Sequence, residues 1–146
     1  MPLAWEWGAP SPLTPPPVGP ASAHSGSNCY GTDLDGPYGT NQDPTLRSPV
    51  IDLTGVIQAD LSFYHFQDME ESESGSGTPF GFDYGFVNVL RASDSTVIDS
   101  NTFQTEGTST DWEWVEIELP AAALGQQIVL EFGFHADGFQ SPLQGG

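Results

Sequence analysis

A strict alternation of apolar and polar residues is the feature that most constrains how this chain can fold. In residues 112–119, Val115, Ile117 and Leu119 share one face of an extended chain, and Trp114 lies on the other face. An alternation with a period of two is the pattern of a half-buried strand. No segment shows an apolar repeat of 3.6 residues over the length of a helix. The sequence therefore predicts an all-β fold.

Further short strands are predicted along the chain, with turn-forming Gly, Asn, Asp and Pro between them. They cover residues 50–53, 60–66, 82–90, 96–100 and 127–135, whereas residues 28–49, dense in Gly, Asp, Asn and Pro, are predicted to be turns. Residues 1–28 are predicted to be a short strand and a proline-rich surface loop, because proline blocks helices and central strands. About seven short strands favour an antiparallel two-sheet β-sandwich or jelly roll. The 146 residues are expected to form one domain.

The charge of the chain excludes several classes of partner. Asp and Glu number 20, whereas the basic residues are only Arg47 and Arg91, which gives a net charge of −18. Such a chain cannot neutralise a row of phosphates, so we expect no nucleic-acid binding. No apolar run approaches the roughly 20 residues of a spanning helix, so we expect no membrane insertion. The first residues show no signal peptide.

Three explanations of the surplus negative charge remain open. The chain can work in a saline medium, where salt screens the repulsion between carboxylates. It can bind cations that offset the charge locally. The acids can also serve only to solvate the surface.

Calcium is the cation that the acidic residues favour, since it takes six to eight oxygen ligands. Asp33 and Asp35 alternate beside a glycine, and Asp43 follows. The alternative is a turn in which these carboxylates cap backbone amides. Glu71 lies in a second acidic cluster, which is either solvated or completes a cation site with Asp83.

The aromatic residues allow a carbohydrate-binding surface. Trp112 and Trp114 are two residues apart and thus on one strand face, and Tyr84 and Tyr38 are further candidates. Glu116 is on the same face as the two tryptophans, which indicates that this face is exposed to solvent. The alternative is that the tryptophans are partly buried in the sandwich.

The chain shows no motif of a hydrolase. Its three histidines are His24, His65 and His135, which are too far apart for the two-histidine zinc motif of a peptidase helix. No G-x-S-x-G motif is present. Paired carboxylates of a glycosidase cannot be judged from sequence spacing, because the fold sets their separation. We expect a protein that is not an enzyme.

The serial order of small motifs resembles bacterial MAM-like jelly-roll modules. The motifs that carry this resemblance are WEWGAP, SAHSGSNCYGT, LDGPYG, LRSPVIDL, LSFYHF, FDYGFVNVL and DWEWVEIELPAAALGQQIVLEFGFHADG. The resemblance implies a domain appended to a secreted protein, such as an immune-inhibitor-A-type metallopeptidase. Such modules usually have one more strand at each end, so the first and last strands are expected to be missing from these residues.

This resemblance implies a non-catalytic binding or adhesion module at the cell exterior, beside other domains of the same polypeptide. Its ligand would be a protein or a glycan, and a structural calcium would accompany it. The alternative function is a carbohydrate-binding module of a secreted hydrolase.

Overall fold

The computed structural model describes residues 5–11, 19–34, 43–67, 84–102 and 109–136. Strands dominate these ranges, and every pairing between them is antiparallel, so the all-β prediction is confirmed. A single 3₁₀ turn, Ala121–Ala123, precedes the last strand. The strands are β1 Glu6–Gly8, β2 Cys29–Gly31, β3 Thr45–Arg47, β4 Ile51–Asp52, β5 Asp60–His65, β6 Tyr84–Arg91, β7 Val97–Thr102, β8 Glu113–Glu118 and β9 Gln127–His135.

The larger sheet is built around β9. One edge of β9 pairs with β6, which in turn pairs with β7, and the other edge pairs with both β3 and β4. Ser48 bridges the gap between β3 and β4, because its backbone N–H donates to Leu130 O at 2.8 Å and its Oγ accepts from Leu130 N at 2.9 Å. The pairing therefore continues up to Pro49, which has no N–H to donate.

The smaller sheet, β5 with β8, stacks on one face of the larger sheet. Leu61 of β5 packs against the core of the larger sheet, and the Phe63 ring meets the Phe132 ring edge-on, with centroids 5.2 Å apart. Face-to-face stacking of two sheets is the arrangement of a β-sandwich. One cluster of buried core residues comprises Leu53, Val89, Leu119, Ala123, Ile128 and Leu130.

The β1–β2 pair forms a separate ribbon. Trp7 and Tyr30 are opposite each other in its register and their ring centroids are 4.6 Å apart. Leu34 folds back against Gly31, where an added Cβ would overlap the leucine side chain. Trp5 precedes the strand and turns inward, donating from Nε1 to Pro44 O at 3.2 Å.

Two short strands, β2 and β3, were not predicted from the sequence. Residues 28–49 were expected to be turns because they are rich in Gly, Asp, Asn and Pro, yet β2 and β3 lie there. Each has three residues, which is too short to show an alternation. No helix in the described ranges has the length and apolar character needed to cross a lipid bilayer.

Candidate ligand-binding site

An exposed aromatic pair lies on the outer surface of the smaller sheet. Tyr64 of β5 and Trp114 of β8 are opposite each other in the strand register, and their ring centroids are 4.9 Å apart. The two residues are 43% and 54% exposed. Because side chains alternate along a strand, Phe63 and Val115 point inward while this pair points to solvent.

Polar side chains surround the pair on the same sheet face. Ser62 and Glu116 are opposite each other one step along the face, and Asp60 and Glu118 follow as the next pair. All four are exposed. Trp114 Nε1 donates to Glu116 Oε2 at 3.3 Å, which restrains the indole. We call this surface, formed by Ser62, Tyr64, Trp114 and Glu116, the outer aromatic face.

Residues 19–28 cover one end of this face. The His24 ring stacks on Tyr64 with centroids 3.5 Å apart and planes 15° apart. Trp112 anchors the segment to the β5–β8 sheet, because its Nε1 donates a hydrogen bond to Ser22 O at 2.9 Å. His24 also meets Trp112 edge-on, at 6.2 Å. These contacts join a loop distant in sequence to the β5–β8 sheet.

The sequence-predicted aromatic residues are not all in one place. Trp114 lies in the outer aromatic face, and the half-buried Trp112 supports the loop beside it. Tyr84 lies on the far face of the larger sheet, where its ring is 5.0 Å from that of His135. Tyr38 lies outside the described residues.

Sequence reasoning did not select Tyr64 or His24 as site residues. The alternation in β5 already placed Tyr64 and Phe63 on opposite faces of the strand, so the outward direction of Tyr64 could have been predicted. Its position beside Trp114 depends on a strand pairing across 50 positions of sequence, and local sequence does not report such a pairing.

The predicted calcium ligands are only partly described. Asp33 is half-buried, and Asp43 pairs with His135 through Oδ1 and Nδ1 at 2.5 Å. Asp35, Glu71 and Asp83 lie outside the described residues. Within the described ranges, no group of three or more His, Cys, Asp or Glu side chains comes together as a metal site. Calcium binding stays a prediction.

Both arginines of the chain are occupied by acidic partners. Arg47 Nε is 2.8 Å from Glu131 Oε2, and Asn88 Nδ2 donates to the other oxygen of Glu131 at 3.1 Å. Arg91 forms an ion pair with Asp94 at 3.3 Å. An anionic ligand would therefore have to compete with these carboxylates for an arginine side chain.

One histidine lies between the two sheets. This residue is His65, and burial lowers its pKa. The attraction of Glu113, whose Oε2 is 3.4 Å from His65 Nε2, only partly opposes this effect. The ring is therefore mainly neutral at neutral pH. Burial also raises the pKa of the Cys29 thiol, which keeps it protonated.

The sequence is similar to part of a much longer protein. It is 31% identical to Bacillopeptidase F of Bacillus subtilis (strain 168) over 133 residues. The match covers 91% of this chain but 8% of that protein. No protein-family model matches the chain, and no solved structure matches it at a significant level. The match agrees with the expectation that these residues belong to a larger polypeptide.

Proposed function

We propose that this chain is a non-catalytic accessory domain of an extracellular protein and that it binds carbohydrate through the outer aromatic face. The observation that carries the proposal is the exposed pair of Tyr64 and Trp114, set among polar side chains. Exposed aromatic rings that are held in place offer a large contact area at a low cost in conformational entropy.

The chemistry of the face suits a neutral polyhydroxylated ligand. The apolar C–H faces of a sugar ring stack on aromatic rings, while its hydroxyl groups donate to carboxylates such as Glu116 and exchange hydrogen bonds with Ser62. The acidic neighbours oppose anionic ligands by charge repulsion. This makes a neutral glycan the better match than an acidic one.

The accessory role rests on the comparison with Bacillopeptidase F, whose name marks a peptidase and of which this domain matches a small share. The resemblance to MAM-like jelly-roll modules points in the same direction, and such modules are appended to secreted proteins. The proposal places the domain outside the cell on this basis. A structural calcium belongs to the same proposal, supported by the alternating acidic residues Asp33 and Asp35 in the sequence.

A protein ligand is the second candidate function. It is favoured by Trp7 and Tyr30, which form another exposed aromatic pair, 61% and 53% exposed, on the β1–β2 ribbon. Trp and Tyr are enriched in protein–protein interfaces. Adhesion to a protein would use this ribbon rather than the β5–β8 sheet.

A panel of neutral and acidic oligosaccharides, titrated against the full chain by calorimetry, tests the proposal. We expect Trp114→Ala to weaken binding of a neutral glycan about tenfold, because it removes an exposed stacking surface. Tyr64→Ala should also weaken it, because it removes the ring that lies against Trp114 and on which His24 stacks. Trp7→Ala is the matched control, since it removes an equally exposed aromatic residue elsewhere, and it should leave the affinity unchanged. Absence of binding across the panel, or an equal loss in the control, would contradict the proposal.

A further inference from the structure

The interior of the sandwich is packed at one end and hollow at the other. At the packed end, Val89 and Ile128 are almost fully buried between the sheets. At the other end a cavity of about 290 Å³ lies between Phe63 of the smaller sheet and Phe134 of the larger sheet. The β1–β2 ribbon closes a further side through Cys29.

The cavity walls are mainly aromatic, and no Asp, Glu, Lys or Arg is among the described residues that line them. His65 also lines the cavity, and burial lowers its pKa and favours the neutral ring. Trp5, Phe63, Phe132 and Phe134 contribute rings to the wall. Moving an ion into such surroundings is costly, since no opposite charge is present to offset the loss of hydration. A neutral aromatic molecule would be bound without that cost.

A threonine hydroxyl in the cavity wall makes no hydrogen bond within the described residues. Thr32 lines the cavity and is 5% exposed, and no group in the described ranges hydrogen-bonds its Oγ1. A buried hydroxyl that makes no hydrogen bond is unfavourable, and the great majority of such groups in proteins are satisfied. A ligand with its own hydroxyl group could satisfy Thr32.

We propose that this cavity binds a small neutral aromatic molecule carrying a hydroxyl group, with Thr32 Oγ1 as its hydrogen-bond partner. The volume sets the size of the ligand, because a dry cavity of about 150 Å³ accommodates benzene. A cavity of about 290 Å³ has room for a molecule of roughly two fused rings. This site differs from the outer aromatic face, because Ser62, Trp114 and Glu116 do not line the cavity, although Tyr64 contributes to both.

The test uses 2-naphthol as the probe and follows the fluorescence of the probe itself. We expect saturable binding of one molecule per chain and no binding of 2-naphthoate, whose carboxylate is charged. Thr32→Val keeps the shape of the side chain and removes the hydroxyl, so it should weaken 2-naphthol binding about fivefold. The matched control is Thr45→Val, because Thr45 is an exposed strand threonine outside the cavity.

A second variant tests the location by filling the space. Leu46 is half-buried and lines the cavity, so Leu46→Trp should abolish binding while the chain still melts cooperatively. If that variant does not fold, Cys29→Phe serves the same purpose from another wall. Trp114→Ala, at the outer aromatic face, should leave 2-naphthol binding unchanged.

Three results would overturn this inference. The first is no saturable binding of 2-naphthol to the unmodified chain. The second is equal affinity in the unmodified chain and in a folded cavity-filling variant, which would place the probe elsewhere. The third is an equal loss in Thr32→Val and Thr45→Val, which would show that the Thr32 hydroxyl has no specific role.

Discussion

The His65 side chain is 11% exposed and lies within reach of one carboxylate. The loss of hydration on burial outweighs the attraction of Glu113, so the folded-state pKa lies below the ordinary value of 6.5. A group of this kind takes up a proton in the unfolded chain at a pH at which the folded chain does not. Its contribution to stability is therefore complete above pH 6.5 and decreases as the pH falls below that value.

We expect the free energy of unfolding to depend on His65 in this window. Urea unfolding at about pH 7.5, 6.5 and 5.5 should show a loss of stability in the unmodified chain that is smaller in His65→Gln. His24→Gln is the control, since His24 is an exposed histidine. Hydrogen bonds from Thr54 and Thr96 lower the pKa values of Asp52 and Asp94, respectively. The stabilisation from these two carboxylates is therefore lost only below about pH 3.8, outside the pH range of this experiment. An identical pH slope in the His65→Gln variant would show that burial of this ring does not set the dependence.

Among the strands, the contact between β6 and β9 depends on a glycine, Gly133, which has no side chain. Gly133 of β9 is opposite Phe86 of β6, and the Phe86 ring occupies the space that a Cβ on Gly133 would need. The glycine therefore allows the aromatic ring to cover the strand backbone. This arrangement fixes the register of the two longest strands.

Gly133→Ala should lower the free energy of unfolding by about 2 kcal/mol, because the Phe86 ring must move. Gly8→Ala is the matched control in another strand, where the added Cβ would meet Leu34 at an ordinary 3.4 Å. Denaturant unfolding of both variants measures the difference. In a chain that already carries Phe86→Ala, Gly133→Ala should cost much less stability. If Gly133→Ala costs the same with and without Phe86→Ala, overlap with this ring is not the cause.

At the same scale, the sequence predicted the long strands and missed the pairings. Strands β5, β6, β8 and β9 show their alternation locally, and Glu116 beside Trp114 correctly indicated an exposed face. The three-residue strand β3 is formed by its pairing with β9, more than 80 positions away. The partnership of Tyr64 with Trp114 and the cavity beside Thr32 arise from such distant pairings, which leave no local pattern.

For the whole molecule, the net charge of −18 leaves few compensating cations, since both arginines already have acidic partners. We expect sodium chloride to raise the melting temperature by several degrees between about 20 mM and 1 M, because salt screens the repulsion among carboxylates. Calorimetric or circular-dichroism melting measures the effect. A melting temperature that stays constant or falls would contradict it.

Calcium chloride at matched ionic strength separates specific cation binding from charge screening. If calcium binds a specific site, the melting temperature should exceed that in sodium chloride at the same ionic strength. Equal melting temperatures in the two salts would assign the effect to screening alone and would remove calcium from the proposed function.

The central place of β9 also affects how the chain can fold as it is made. Its partners β3, β4 and β6 are synthesised long before it, so the larger sheet cannot close until residue 135 has emerged. Until then β3 and β4 lack their partner and β6 pairs only with β7, and the many like charges oppose premature contacts between the segments. The larger sheet of the growing chain is thus expected to stay open until β9 is available, and a polypeptide that has not yet closed its main sheet can still be threaded through a narrow pore.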